Sequence, residues 1–294
     1  MEIKTVGFFL RPKKIELKEV FFKFKKIFNN KNIKVLIHKT SADMLNEPEI
    51  LGSECEEICN KSDVLISIGG DGTFLSTVRK SYKYNKPVLG INAGNLGFLV
   101  DITIPDFEKF IDDLLDGNFK LETRSILKLK IKKSVECEIE KNQNFQEIET
   151  FGFNDIVIHG ENKLRMVDID VYSKDGFLNN YKGDGLIIAS PTGSTAYNLA
   201  SGGPILYPMI DGFVITPISP HSLTQRPLIL PSEFSISVEV KGQNGYVILD
   251  GQEDYEFSKY QKLYISISKT PVSIVRELNY NYFDILRKKL KWGK

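Results

Sequence analysis

Asp63-Val64-Leu65-Ile66-Ser67-Ile68-Gly69-Gly70-Asp71-Gly72-Thr73 delivers an apolar run straight into a glycine-rich turn that carries one carboxylate. Val64 to Ile68 reads as a buried strand. The glycines let the backbone turn sharply and let another molecule approach it closely. Backbone N–H groups in such a turn can hold phosphate oxygens. A carboxylate among them repels phosphate, so Asp71 needs its own purpose: taking a proton, holding a metal or binding a hydroxyl.

Working outward, Thr5 to Leu10, Val35 to His38 and Pro87 to Ile91 also read as strands. Leu17, Val20, Phe21, Phe24 and Phe28 recur at helical spacing, as do Phe107, Phe110, Ile111, Leu114 and Leu115 ahead of Gly117. Strands alternating with helices imply a parallel sheet with helices on its faces. The strand at Pro87 runs into Asn92-Ala93-Gly94-Asn95-Leu96-Gly97-Phe98-Leu99, so two glycine-rich turns should share one rim, where open parallel sheets bind ligands.

The pattern changes near Leu121 to Ser125. Beyond it come alternating strands: Leu127 to Ile131, Val167 to Val171, Ile236 to Val240, and Leu263 to Ile267 as the last clear one. Asp175-Gly176 signals a hairpin. Lys141 to Glu149 is polar enough for an exposed loop. Phe283 to Trp292 reads as a helix packed by Trp292. The expectation is an α/β N-terminal domain with a parallel sheet over 1–122, a β-rich domain over 123–272, and a C-terminal stretch, 273–294, whose helix returns to the first domain.

The 294 residues carry a formal net charge of +1, with 41% hydrophobic and 26% charged residues. That balance supplies no electrostatic argument for nucleic acid or an anionic membrane surface. No apolar stretch is long enough to span a bilayer, and three cysteines without CxxC spacing fit free thiols in a reducing compartment. The cytoplasm is the expected location. His38, His159 and His221 match no zinc-ligand spacing.

The β-rich half holds a second set of polar residues. Asn154-Asp155 sits at a strand start, where turn capping suits the pair better than a ligand when it is taken by itself. Gly183-Asp184-Gly185 leads to Pro191-Thr192-Gly193-Ser194-Thr195-Ala196-Tyr197-Asn198 and on to Gly202-Gly203-Pro204. Its hydroxyls, amide and aromatic face suit a nucleoside; Ser194 or Thr195 could also cap a helix.

Together these motifs resemble the NAD kinases. The likeness rests on Gly69 to Thr73, Leu96-Gly97-Phe98-Leu99, Asn154-Asp155, Asp184 to Pro204, Arg226-Pro227, Asp250-Gly251-Gln252 and Tyr282-Phe283-Asp284, and so spans both domains. The resemblance implies transfer of the ATP γ-phosphoryl group to the 2′-hydroxyl of the adenosine ribose of NAD, giving NADP, with Mg²⁺ carried on ATP. It implies Asp71 as the catalytic base and Gly69, Gly70, Gly72 and Thr73 as the phosphate turn. The implied NAD-binding residues are Asp71, Gly72, Asn154, Asp155, Arg165, Lys182, Asp184, Thr195, Ala196, Tyr197, Asn198, Leu199, Ala200 and Gln252. Asp155 stands where the family usually has Glu, and Lys182 where many members have Arg. Two alternatives share the glycine turn: a lipid or diacylglycerol kinase, which would want a more apolar mouth, and a non-catalytic NAD-responsive regulator, which would have no need of Asp71.

A homo-oligomer, dimer or tetramer, is the expected assembly, with the β-rich domain at its interface and Tyr197 reaching towards a neighbour. The sequence argument is that alternating strands with few helices leave a sheet face to be covered. A second sheet closing on the first as a sandwich would cover it without a partner.

Overall fold

The computed structural model describes residues 1–133, 147–161 and 166–293. The chain divides into two compact units, Met1–Thr123 with Val272–Lys294, and Arg124–Pro271. In chain order the first contains β1 (Thr5–Leu10), α1 (Leu17–Asn30), β2 (Lys34–Ile37), α2 (Lys39–Leu45), α3 (Cys55–Lys61) and β3 (Val64–Gly69). It continues with α4 (Asp71–Ser81), β4 (Val88–Asn92), β5 (Ile102–Thr103), α5 (Ile104–Asp116) and β6 (Lys120–Arg124). The second contains β7 (Leu127–Lys133), β8 (Ile148–Gly152), β9 (Asp155–Gly160), β10 (Val167–Ser173), β11 (Gly176–Gly183), β12 (Gly185–Ala189) and α6 (Tyr197–Ala200). There follow β13 (Gly212–Ile218), β14 (Leu228–Pro231), β15 (Ser235–Val240), β16 (Gly245–Leu249), β17 (Glu253–Phe257) and β18 (Gln261–Ile267). The chain then returns to the first unit as β19 (Val272–Arg276) and α7 (Tyr282–Leu290).

The parallel sheet expected from the alternation of strands and helices is present. Its order is β2-β1-β3-β4-β19-β6, with β5 paired to β4, and β1, β2, β3 and β4 all run parallel. Side chains alternate across it as strand geometry requires. Val6, Phe8, Val64, Ile66, Leu89 and Ile91 pack with Phe21, Phe24 and Phe28 of α1 and Phe107 of α5. On the opposite face room is short: a Cβ on Gly7 would press on Ile58 and Ser62 of the α3 region, and one on Gly90 on Phe74 of α4. Helix α5 is bounded as its sequence suggests, by the Thr103 hydroxyl accepting the Asp106 N–H and by Gly117 with φ of 82°.

The second unit is a sandwich. One six-stranded sheet has the order β11-β10-β15-β18-β7-β8 and the other β14-β13-β12-β9-β16-β17. Leu127, Leu129, Ile169, Val238 and Leu263 from the first share a core with Ile156, Ile158, Leu186, Phe213 and Val247 from the second. The second sheet's outer face carries Val157, Ile187, Ala189 and Val214, packed with Leu206 from the segment after β12. The inner faces of the two sheets thus cover each other, and that segment covers part of the second sheet's outer face.

Several local expectations are corrected. Leu263 to Ile267 is not the last strand: β19 follows it and enters the sheet of the first unit. Trp292 lies beyond α7 and is exposed, because Lys291 takes a left-handed conformation that ends the helix. Ile148 and Glu149 belong to β8 and not to a loop; residues 134–146 and 162–165 lie outside the described residues. Among the described residues no helix is long and apolar enough to cross a membrane.

Phe107 is fully buried, edge-on to Phe24 with ring centroids 4.9 Å apart. Phe107→Ala is expected to destabilise the fold by about 3–5 kcal/mol through lost burial and a residual cavity. A shift of the denaturant midpoint measures this, and an unchanged midpoint would contradict the packing account.

Candidate active site

In the first unit, β3 and β4 pair in register, with Gly69 opposite Asn92, so both glycine-rich turns leave the same rim. Gly70 is extended, with φ of −122° and ψ of −170°, and Asp71 opens α4. None of Gly69, Gly70 and Gly72 takes a positive φ. At Gly69 the need for glycine is one of space and not of a left-handed turn, since a Cβ there would overlap the Thr73 side chain; one on Gly70 would meet open space. Gly70 thus leaves backbone accessible to a ligand.

The Asp71 carboxylate turns onto the loop after β4. Its Oδ2 accepts the Phe98 N–H at 2.8 Å, and its Oδ1 accepts those of Leu99 and Val100 at 3.2 and 3.1 Å. A Cβ on Gly97 would overlap this carboxylate, so the loop needs glycine there. Asn92, buried at the end of β4, shapes the same loop from within: its Nδ2 donates to the Asn95 and Val100 carbonyls and its Oδ1 accepts the Gly94 N–H. The Leu96-Gly97-Phe98-Leu99 run and Asp71 are one device.

The second unit repeats that device with other residues. The Asp250 carboxylate accepts the N–H groups of Phe153, Asn154 and Asp155 at 3.1, 2.6 and 3.1 Å. Asp250 and Gly251 have φ of 51° and 64°, and the Gln252 N–H closes the turn on the Leu249 carbonyl at 2.9 Å. Two left-handed residues in succession suit an Asp-Gly pair. Sequence reasoning attached Asp250 to a motif without giving it a role; a carboxylate's backbone partners leave no mark in their side chains.

The hydroxyl-rich segment is locked to the Asn154 turn by close approach. Ser190 Oγ donates to the Phe153 carbonyl at 2.6 Å and accepts the Gly193 N–H at 3.1 Å. A Cβ on Gly193 would overlap the Asn154 backbone, and one on Gly203 the Asn198 amide. Ser194 and Thr195 make no side-chain cap to α6; Ser194 Oγ instead donates to the Pro191 carbonyl and accepts the Leu206 N–H. Asn198 is wholly buried, donating to the Ser194 and Pro204 carbonyls and accepting from Thr216. Its amide holds the segment's shape.

On the outer face of the second sheet, Asn154, Asp155, Val157, His159, Ala196, Tyr197, Ile248, Asp250 and Gly251 line a cleft of about 250 Å³. Asn154, Asp155, Ala196 and Tyr197 are thus brought together in this unit. Asp184, exposed before β12, accepts a ring nitrogen of His159 at its carbonyl, 3.0 Å away. Lys182 pairs with Asp168 at 3.1 Å, Leu199 and Ala200 lie in the short helix α6, and Gln252 is exposed after the Asp250 turn. Arg165 lies outside the described residues. Burial first, and then the charge of Asp250, push the Asp155 carboxyl up to about 7, while the Tyr197 backbone N–H works the other way. The shorter side chain keeps this carboxyl close to the sheet, where little water reaches it.

Two family models match the chain: the ATP-NAD kinase N-terminal domain over residues 6–119 and the ATP-NAD kinase C-terminal domain over residues 153–277. The chain belongs to the ATP-NAD kinase family. It is 41% identical to the NAD kinase of Sulfurimonas denitrificans over 292 residues, covering 99% of this chain and 98% of that protein. It is 39% identical to the NAD kinase of Wolinella succinogenes, covering 99% of this chain and 96% of that one. Among solved structures, yeast NADH kinase complexed with NADH superposes with a TM-score of 0.89 at 25% identity, covering 100% of this chain and 89% of that one. The fold is also that of an Archaeoglobus fulgidus NAD kinase, with a TM-score of 0.74 at 22% identity over 98% of each chain.

The raised Asp155 has a stability consequence whose sign is set by its folded-state value lying above the unfolded one. Its contribution is fully present below the unfolded value and is lost as pH rises through about 7. Asp155→Asn, which mimics the protonated group, should match the parent's stability near pH ~4 and exceed it by on the order of a few kcal/mol above pH ~8. Chemical denaturation across that range tests this; a stability difference that does not vary with pH would contradict it.

Proposed function

We infer that this chain is an NAD kinase that transfers the γ-phosphoryl group of ATP to the 2′-hydroxyl of the adenosine ribose of NAD, forming NADP. The observation that carries the reading is a carboxylate, Asp71, opening a helix at the ligand-binding rim of a parallel sheet, in a chain whose two halves each match the family. A hydroxyl becomes a good nucleophile when a carboxylate within hydrogen-bond reach takes its proton. Oδ1 of Asp71 already accepts two backbone N–H groups and Oδ2 only one. A carboxylate oxygen offers about two lone-pair positions, so Oδ2 is the atom we assign to the ribose hydroxyl. The lipid-kinase and regulator alternatives are not favoured, because the chain matches both domains of the family and keeps Asp71.

Gly69, Gly70, Gly72 and Thr73 form the proposed phosphate turn. The proposed NAD contacts are Asp71 and Gly72 in the first unit and, in the second, Asn154, Asp155, Arg165, Lys182, Asp184, Thr195 through Ala200 and Gln252. The yeast relative's complex with NADH supports a nicotinamide dinucleotide as the acceptor class. ATP would bring a divalent cation, for which we propose Mg²⁺; it neutralises charge on the phosphoryl oxygens. Among the described residues no group of three or more His, Cys, Asp or Glu side chains converges as a metal site, so phosphate oxygens and water are its expected ligands. A cytoplasmic location is part of the same proposal, supported by the free thiols Cys55 and Cys59.

Asp71→Asn preserves side-chain volume and removes the base, and its amide NH2 also gives up at least one of the backbone N–H bonds that the carboxylate accepts. The expected result is a folded protein whose NADP formation falls by about a hundred- to ten-thousand-fold. Near-parental turnover in a folded variant would take the base role from Asp71.

We further propose a homo-oligomer, dimer or tetramer, built through the β-rich unit. Leu228 and Ile229 are exposed on β14, the edge strand of its second sheet, and Tyr207, Met209 and Ile210 are exposed just before the neighbouring β13. An apolar strip on a sheet edge tends to find a partner. Light scattering at assay concentration should report a multiple of the chain mass; a fully active particle with the mass of one chain would contradict it.

A further inference from the structure

The three N–H groups that hold Asp71 belong to a loop without regular structure, so something must hold the loop. Lys289 of α7 donates to the Leu96 carbonyl at 2.6 Å and lies over the Phe98 ring. The stronger anchor is Arg276, the last residue of β19 and only 2% exposed. Its Nη1 donates to the Leu99 carbonyl at 2.9 Å and to Asp101 Oδ1 at 2.7 Å. Its Nε reaches Glu122 on β6 at 3.3 Å, and its guanidinium lies 4.3 Å from the Tyr280 ring centroid.

One side chain therefore grips the loop at residue 99 and again at residue 101, on either side of Val100. Leu99 and Val100 supply two of the N–H groups on Asp71. Both bonds leave one nitrogen, Nη1, whose two N–H donors point in fixed directions in the guanidinium plane, whereas an ammonium's three donors rotate about its stem. Burying that charge is costly, and such pairs are poor sources of net stability. A site that needs its base held to within a fraction of an ångström gives the expense a purpose.

We propose that Arg276 is a positioning residue for the phosphoryl-transfer reaction: through the Leu99 carbonyl and Asp101 it sets the backbone N–H groups that aim the Asp71 carboxylate. The assignment rests on Asp71 being the base. It predicts that loss of Arg276 disturbs the chemical step more than substrate binding, because Arg276 belongs to no part of the proposed NAD or phosphate contacts.

The test is steady-state kinetics of Arg276→Ala on the full chain, with circular dichroism and melting to establish folding. The expected result is a kcat lower by on the order of a hundredfold, with the KM values for NAD and ATP within about twofold of the parent. Should Arg276→Ala fail to fold, Asp101→Asn, which preserves volume and weakens the grip, is read in its place and should lower kcat about tenfold with the same KM pattern. A folded variant with parental kcat, or one whose KM values rise as much as its kcat falls, would overturn the proposal. Asp71→Asn run alongside separates the two claims. If it is active, the base assignment fails; if it is inactive while Arg276→Ala turns over normally, only the positioning role fails.

Discussion

A carboxylate that gathers three successive backbone N–H groups organises each half of this protein. Asp71 does so with Phe98, Leu99 and Val100, and Asp250 with Phe153, Asn154 and Asp155. A loop's N–H groups otherwise point wherever solvent or chance allows. Converging on one anion fixes three peptide planes at once, and charge-assisted bonds of this kind are stronger than neutral ones. In the first unit the anion is the group we propose as the base. In the second it shapes the turn that presents Asn154 and Asp155.

Small residues follow from that constraint. Gly97 leaves room for the Asp71 carboxylate, Gly193 for the Asn154 backbone and Gly203 for the Asn198 amide. At each point a peptide or polar group packs where a methyl group would stand. The hydroxyls of Ser190 and Ser194 then satisfy buried carbonyls and N–H groups that such close packing removes from water. The segment from Pro191 to Gly203 is therefore rich in glycine, serine and threonine first because it is folded tightly on itself, and its exposed edge, with Tyr197, is where we propose the dinucleotide lies.

Much of this was legible in the sequence where chemistry is local. The apolar run into Gly69 announced a buried strand ending at a rim, and the alternation of strands and helices announced a parallel sheet. Asp71 stood out because a carboxylate among glycines whose backbone could hold phosphate demands a reason. What holds Asp71 was not legible, since a backbone N–H has no residue type. The return of the C-terminal stretch was expected, but its strand β19 was missed for a related cause: its pairing with β4 joins residues far apart in the chain, and a five-residue strand carries no mark of its partner. The sandwich order was likewise hidden, as β7 pairs with β18 across most of the unit. Ser194 was read as a ligand group or a cap from its chemistry; buried, its hydroxyl instead bonds the Pro191 carbonyl and the Leu206 N–H.

The most direct test of the account is product identity. Purified protein incubated with ATP, Mg²⁺ and NAD should generate ADP and a dinucleotide whose new phosphorus resonance is a phosphomonoester on the 2′-position of the adenosine ribose. ADP appearing without a phosphorylated dinucleotide, or phosphate on any other hydroxyl, would contradict it.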